Sequence, residues 1–327
     1  MICTGGGIGD VLLATPVMRA LRSRYDRVVA LTTRAHVAVL ANNPDLADVW
    51  IDDAPFAEAA ARIARAEFAA SVTTWASLRS TALPYVARVP VRVGQARRLY
   101  SRLFTHRVVV RSELGDRTTH WTQVLLDFAR ALDCDSGAGP TFVVSDDARA
   151  AVARMLATEN VATPYVVLHP ARGISAARER WPAAPFIALA RSLARETNAR
   201  VVVTGGPGDR VLADAIAAAG DSLSLGGRTS LAEFGALAAG ANAVVAMDSG
   251  PMHVAAAVGA PTVGIFALQS DEPDRWAPRG PRSAVVRATY PCPPAHRKET
   301  CPNFACVSAL DISAILRAVR ELAAVGA

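Results

Sequence analysis

The chain has almost no lysine. Lys298 is the only one among 35 Lys and Arg residues, so nearly all positive charge is guanidinium, which grips phosphate through a bidentate fork. A net charge of +6 and a pI near 9.4 fit anionic partners such as nucleotides, phosphorylated lipids or a membrane surface. Arginine scattered over solvated faces by a composition bias accounts for them equally well. Aromatic residues are scarce too, 6% against 51% hydrophobic, so the core is built from Ala, Val and Leu. That composition suits helices packed on a sheet better than a β-sandwich. No apolar run reaches the ~18 residues of a membrane span, and no basic flank with a signal-peptide core opens the chain. Both absences point to a cytoplasmic protein, where the five cysteines are expected to be reduced. Internal repeats and low-complexity tracts are lacking, and 327 residues suffice for two ordinary domains.

What is present is a steady alternation of strand and helix signals. Strands are expected at 28–32, 49–51, 68–73, 91–94 and 108–110, with helices at 11–24, 35–41, 56–65 and 121–132 between or after them. After a helix at 146–157 the alternation restarts with a strand at 165–169, which places a domain boundary near Asn160. Strands at 201–203, 223–225, 244–247 and 262–266 follow, with helices ending at Glu196 and covering 231–239, 251–258 and 311–325. The expected fold class is α/β, two doubly wound sheets, 1–160 and 161–327.

Two loops carry the chemistry. Asp248-Ser249-Gly250-Pro251 joins a buried strand to a helix in which Pro251 suits the first turn, where its missing N–H is no loss. Exposed amides and the positive dipole end of that helix favour an anion, and phosphate fits there. Gly250 permits close approach, Ser249 adds a hydroxyl, and His253 lies one turn in. The bland alternative is that Asp248 caps its own helix. Near the start, Gly5-Gly6-Gly7-Ile8-Gly9-Asp10 also joins strand to helix. Its spacing is not the dinucleotide fingerprint, and no Lys-Ser/Thr pair follows as in a P-loop. Asp10 at the mouth of that loop is either a helix cap or a functional carboxylate. Between the strands of the first half lies a basic stretch with Arg88, Arg92, Arg97, Arg98, Arg102, Arg107 and Arg111, interleaved with Tyr100 and Phe104. No recognised nucleic-acid module accompanies it, so an anionic acceptor or membrane headgroups fit as well.

Taken together, these motifs resemble the heptosyltransferases of glycosyltransferase family 9, which build the inner core of lipopolysaccharide. The resemblance rests on Gly9-Asp10-Val11-Leu12-Leu13-Ala14-Thr15-Pro16, on Gly227-Arg228-Thr229-Ser230-Leu231, and on Asp248-Ser249-Gly250-Pro251-Met252-His253 with Gly259-Ala260-Pro261-Thr262. It implies a GT-B architecture: two Rossmann-like domains facing across a cleft, acceptor on the first, nucleotide-sugar on the second, and a closing helix that packs back. It implies an inverting transfer of heptose from ADP-heptose to an anionic lipopolysaccharide acceptor, with Asp10 as general base and no cofactor required for catalysis. Donor contacts then fall on Thr204, Gly205, Asp209, Asp248, Ser249, Gly250, Met252 and His253, acceptor contacts on Gly9, Arg97 and Arg98. Family members commonly carry a lysine two positions before a Trp-Pro pair. Here that position is Glu179, so Arg178 or Arg180 is expected to supply the charge. The implied place of work is the inner-membrane surface, and nucleic acid is not among the expected partners.

Two alternatives stay open. One is a family 9 enzyme with another nucleotide-sugar or a protein acceptor; the other is a non-catalytic sugar-nucleotide or lipid-binding protein on the same scaffold. Cys292, His296, Cys301 and Cys306 add a further question. Three thiolates and an imidazole make a tetrahedral structural Zn or Fe site, whereas the spacing, which is not that of paired CxxC motifs, favours free thiols in a loop.

Overall fold

Short β-branched runs between helices give strands buried on both faces, and such strands pair in parallel. The computed structural model describes residues 1–171, 180–292, 299 and 301–324. It divides into two units, Met1–Val143 and Val144–Ala327. The first holds strands β1 Ile2–Cys3, β2 Val29–Thr32, β3 Asp48–Ile51, β4 Ala70–Thr73, β5 Val91–Gln95 and β6 His106–Val108, in the order β3-β2-β1-β4-β5-β6. The second holds β7 Tyr165–His169, β8 Arg200–Val203, β9 Leu223–Ser224, β10 Ala243–Met247, β11 Thr262–Phe266 and β12 Ser283–Arg287, in the order β12-β11-β10-β7-β8-β9. Numbered from its own first strand, each sheet has the doubly wound order 3-2-1-4-5-6. The topology repeats although the sequence does not. Both units are Rossmann-like.

That order fixes where ligands go. In a doubly wound sheet the crevice opens outside the carboxyl ends of the strands where the winding reverses. In the first unit the reversal lies between β1 and β4, with Cys3 beside Thr73. In the second it lies between β7 and β10, with His169 beside Ala246. The glycine loop with Asp10 therefore leaves its sheet at one reversal point, and the Asp248 loop at the other.

Three expectations are corrected by packing. The unit boundary falls at Val143 rather than near Asn160, because helix Asp146–Thr158 packs on helix Leu231–Ala239 and Glu159 pairs with Arg228 at 2.5 Å. The helix expected over 11–24 is two helices, Ile8–Leu13 and Thr15–Arg22. Thr15 turns its hydroxyl back to the Leu12 carbonyl at 2.7 Å, and Pro16 withholds the next amide. Helix Leu78–Val86 was not foreseen, since Pro84 sits inside it. The closing helix Ile312–Ala324 packs on β11, β12 and helix Ala184–Thr197, burying Ile315, Val319 and Leu322 in the core of the second unit.

Candidate active site

Asp10 occupies the third position of helix Ile8–Leu13, and one carboxylate oxygen reaches back to accept the Gly7 N–H at 2.8 Å. It therefore does hold the helix start, as the bland reading had it. The loop is also shaped around the carboxylate. Gly6 has φ +91°, and a Cβ there would lie 2.7 Å from Asp10 Oδ2, so a side chain is excluded on both conformational and steric grounds. Burial raises the Asp10 pKa above the ordinary carboxylate value. Hydrogen bonds from Gly7 N–H and the Trp121 side chain, together with the charge of His36, oppose the rise. His36 is lowered by burial and pushed back up by Asp10, while its Nδ1 sits 2.9 Å from Thr33 Oγ1. A carboxylate that is half-buried, oriented and raised in pKa is suited to taking a proton.

Beside it, at the carboxyl ends of β4, β5 and β6, lies a pocket of about 290 Å³ lined by Trp75, Gln95, Arg98, Tyr100, Glu113 and Trp121 among others. Tyr100 donates to the Ala76 carbonyl at 3.0 Å and takes a hydrogen bond from Gln95 at 3.2 Å. Arg98 pairs with Glu113 at 3.0 Å, and Arg97 donates to the Glu113 carbonyl at 3.0 Å. Trp121 belongs both to this pocket and to the surroundings of Asp10, and the Trp75 ring packs 3.2 Å from where a Gly5 Cβ would stand. Aromatic faces with convergent donors and a cation are the lining that an anionic sugar needs. Gly9 lies in the first turn of the same helix as Asp10.

In the second unit the Asp248 loop runs into helix Gly250–Ala257. Ser249, not Asp248, stands at the N-cap, and its hydroxyl donates to the Met247 carbonyl at 2.9 Å rather than capping the helix. Ser249 itself makes no cap bond to the helix, whose N-terminal amides and dipole favour an anion. Met252 is fully buried with its sulfur against Gly264, so only its backbone bears on a ligand. His253 is buried as well. Across the reversal, Thr204 Oγ1 lies 3.0 Å from His169 Nδ1, and the imidazole meets Phe234 edge-on at 5.6 Å. Burial lowers the His169 pKa to about 4, against the pull of Asp209, so the ring is neutral. Asp209 accepts the Gly206 N–H at 3.2 Å, and its Cβ lies so close to Gly205 that a Cβ there would stand 2.9 Å away. Thr204, Gly205 and Asp209 thus share one turn beyond β8.

Other expected site residues fall elsewhere. Arg180 directs its guanidinium to the carbonyl oxygens of Cys301 and, at 2.9 Å, Glu299, which ties it to the cysteine segment. Arg178 and Glu179 lie outside the described residues, as does His296. Cys301 and Cys306 are buried in the hydrophobic core, with Cys292 packed against it. The Cys301 sulfur accepts the Phe304 N–H at 3.3 Å. Burial and the neighbouring Cys292 push the Cys306 thiol up to about 11, which keeps it protonated. Among the described residues no group of three or more His, Cys, Asp or Glu side chains could hold a metal ion. Cys292 and Cys301 both bear on Cys306, and the fourth expected ligand, His296, lies outside the described residues. Sequence reasoning had passed over His36, Trp75, Trp121 and His169. Only His169 carried a signal, a histidine at the carboxyl end of a buried strand.

The model of glycosyltransferase family 9 (heptosyltransferase) matches residues 58–304. Lipopolysaccharide heptosyltransferase 1 of Pseudomonas aeruginosa is 31% identical over 147 residues, 45% of this chain and 40% of that protein. The aligned stretch thus spans about two fifths of that relative. The crystal structure of the glycosyl transferase family 9 from Veillonella parvula superposes with a TM-score of 0.84 at 18% identity, covering 98% of this chain and 96% of that one. The E. coli ADP-heptose lipopolysaccharide heptosyltransferase II superposes at 0.79 with 19% identity and 98% of both chains covered. At these identities the two structures establish the fold.

Proposed function

The chain belongs to glycosyltransferase family 9, and on that premise we propose that it moves a heptose from ADP-heptose onto an anionic lipopolysaccharide inner-core acceptor with inversion at the anomeric carbon. The observation that carries the reading is Asp10: a carboxylate raised in pKa, held in a glycine cradle at the winding reversal of the first sheet, and joined through Trp121 to a pocket with Arg98. In this mechanism Asp10 accepts the proton of the acceptor hydroxyl. The hydroxyl oxygen forms its bond to the anomeric carbon as the bond from that carbon to the diphosphate oxygen breaks. ADP leaves with the electron pair, and the N-terminal amides of helix Gly250–Ala257 receive its negative charge. Arg98, with Trp75 and Tyr100 beside it, holds the acceptor's anionic groups, and the turn of Thr204, Gly205 and Asp209 holds the nucleoside. The E. coli protein of this fold is an ADP-heptose lipopolysaccharide heptosyltransferase, which supports the choice of donor.

Calorimetric titration with ADP-heptose, ADP, GDP-mannose and UDP-glucose tests the donor. Saturable binding of ADP-heptose and ADP alone is expected. Preference for a guanine or uracil nucleotide overturns the donor and leaves the fold standing.

A further inference from the structure

The charge of this chain is concentrated. Residues 77–117 hold nine arginines against Glu113 and Asp116, a formal +7, whereas the whole chain is +6, so everything else together is slightly acidic. The same segment exposes three leucines, Leu78 at 67%, Leu99 at 91% and Leu114 at 68%. Each follows a different strand by a few residues, β4, β5 and β6 in turn. Because these strands pair in parallel with one another and with β1, all three leucines lie at the sheet edge that also bears the Asp10 loop. The segments are tied together there by Tyr100 donating to Ala76 and by Arg97 and Arg98 on Glu113. Trp75, 48% exposed, stands at the same edge.

Leucines held in solvent, Leu78 at a helix start and Leu99 and Leu114 in 3-10 turns, form an apolar edge that is exposed among the described residues. Around them Arg97, Arg102 and Arg107 are exposed and make no ion pair among the described residues, while Arg98 and Arg111 pair with Glu113 and Asp127. Guanidinium groups meet lipid phosphates while leucines enter the acyl boundary, a combination that matches an anionic bilayer. Nucleic acid would use the arginines and leave the leucines in water. We propose that this rim of leucine and arginine docks the first unit on an anionic lipid surface, with the Asp10 loop and its pocket at the docked edge. The assignment rests on the proposed function only for what the bilayer presents, a lipid-anchored acceptor.

The test is co-sedimentation of the full chain with phosphatidylglycerol/phosphatidylethanolamine vesicles and with phosphatidylcholine vesicles, at low and high salt. Wild type is expected on the anionic vesicles only, released by salt. Leu99→Asn with Leu114→Asn should lower partitioning about tenfold, and Arg102→Ser with Arg107→Ser by a similar factor. The leucine variant should still transfer sugar to a deacylated, water-soluble acceptor at the wild-type rate while losing transfer to a vesicle-embedded one. Failure of wild type to sediment, or equal sedimentation of the leucine variant, overturns the docking face. RNA binding unchanged in the leucine variant, with no vesicle binding, assigns the basic segment to nucleic acid instead. Absence of transfer to either acceptor with vesicle binding intact counts against the transferase reading alone.

Discussion

The two units share one strand order and differ in what they place at its reversal point. In the first, the loop after β1 presents a carboxylate whose pKa burial has raised, beside a pocket edged by arginine. In the second, the loop after β10 presents a helix N-terminus, and the nearby titratable group His169 is held neutral by burial. Under the proposed function the first takes a proton and the second takes negative charge. The sheet decides where a site can form, and short loops decide what it does there.

The sharpest way to break this contrast is Asp10→Asn. If the first unit supplies the base, transfer falls by about a hundred- to ten-thousand-fold while ADP-heptose affinity, measured by calorimetry, stays put. Stability should move the other way. The folded pKa of Asp10 is raised, so its contribution favours the fold at acid pH and is lost as pH rises through that value. Removing the buried charge should therefore not lower, and should slightly raise, the unfolding midpoint at neutral pH. An equal loss of donor binding and transfer would instead make Asp10 a structural residue.

A second comparison sets two glycines against each other. A Cβ on Gly94 would stand 2.2 Å from the Phe104 ring, so Gly94→Ala should cost about 1–3 kcal/mol in chemical unfolding and leave ADP affinity unchanged. On Gly264 the nearest atom, at 2.6 Å, is the Met252 sulfur, which a flexible side chain can withdraw. Gly264→Ala should cost less stability, yet weaken ADP binding because Met252 belongs to the first turn of the receiving helix. Similar ADP affinities in both variants would uncouple that helix from the donor.

The smallest effect expected is on the pH profile of Trp121→Phe. The lost hydrogen bond was lowering the Asp10 pKa, so the value rises and the acid limb of kcat moves to higher pH. A lower rate with an unmoved limb would mean that Trp121 only shapes the pocket.

Much of this was legible in the chain. Glycine and proline at strand ends, apolar runs of four to five residues and the Ser230 cap on Glu233 are local signals, and each element they mark is present. The Asp10 and Asp248 loops were legible for the same reason, since each is a continuous run. Helix Leu78–Val86 was hidden by Pro84, and the break at Ala14 by a hydroxyl that turns back on the preceding carbonyl. Arg180 shows the limit of spacing: its place before Trp-Pro pointed to the donor, but its guanidinium goes to the backbone of Glu299 and Cys301.

By itself, then, the sequence determined the α/β class and the strand-loop-helix runs that hold Asp10 and Asp248, because those depend on neighbours within a few positions. Only the tertiary structure decided that Trp121 and His36 stand around Asp10, that His169 meets Thr204, and that Leu78, Leu99 and Leu114 share one edge. Those pairings join residues from 15 to 111 positions apart. They follow from strand order and parallel register, which bring the carboxyl ends of separate strands together and which no local pattern records.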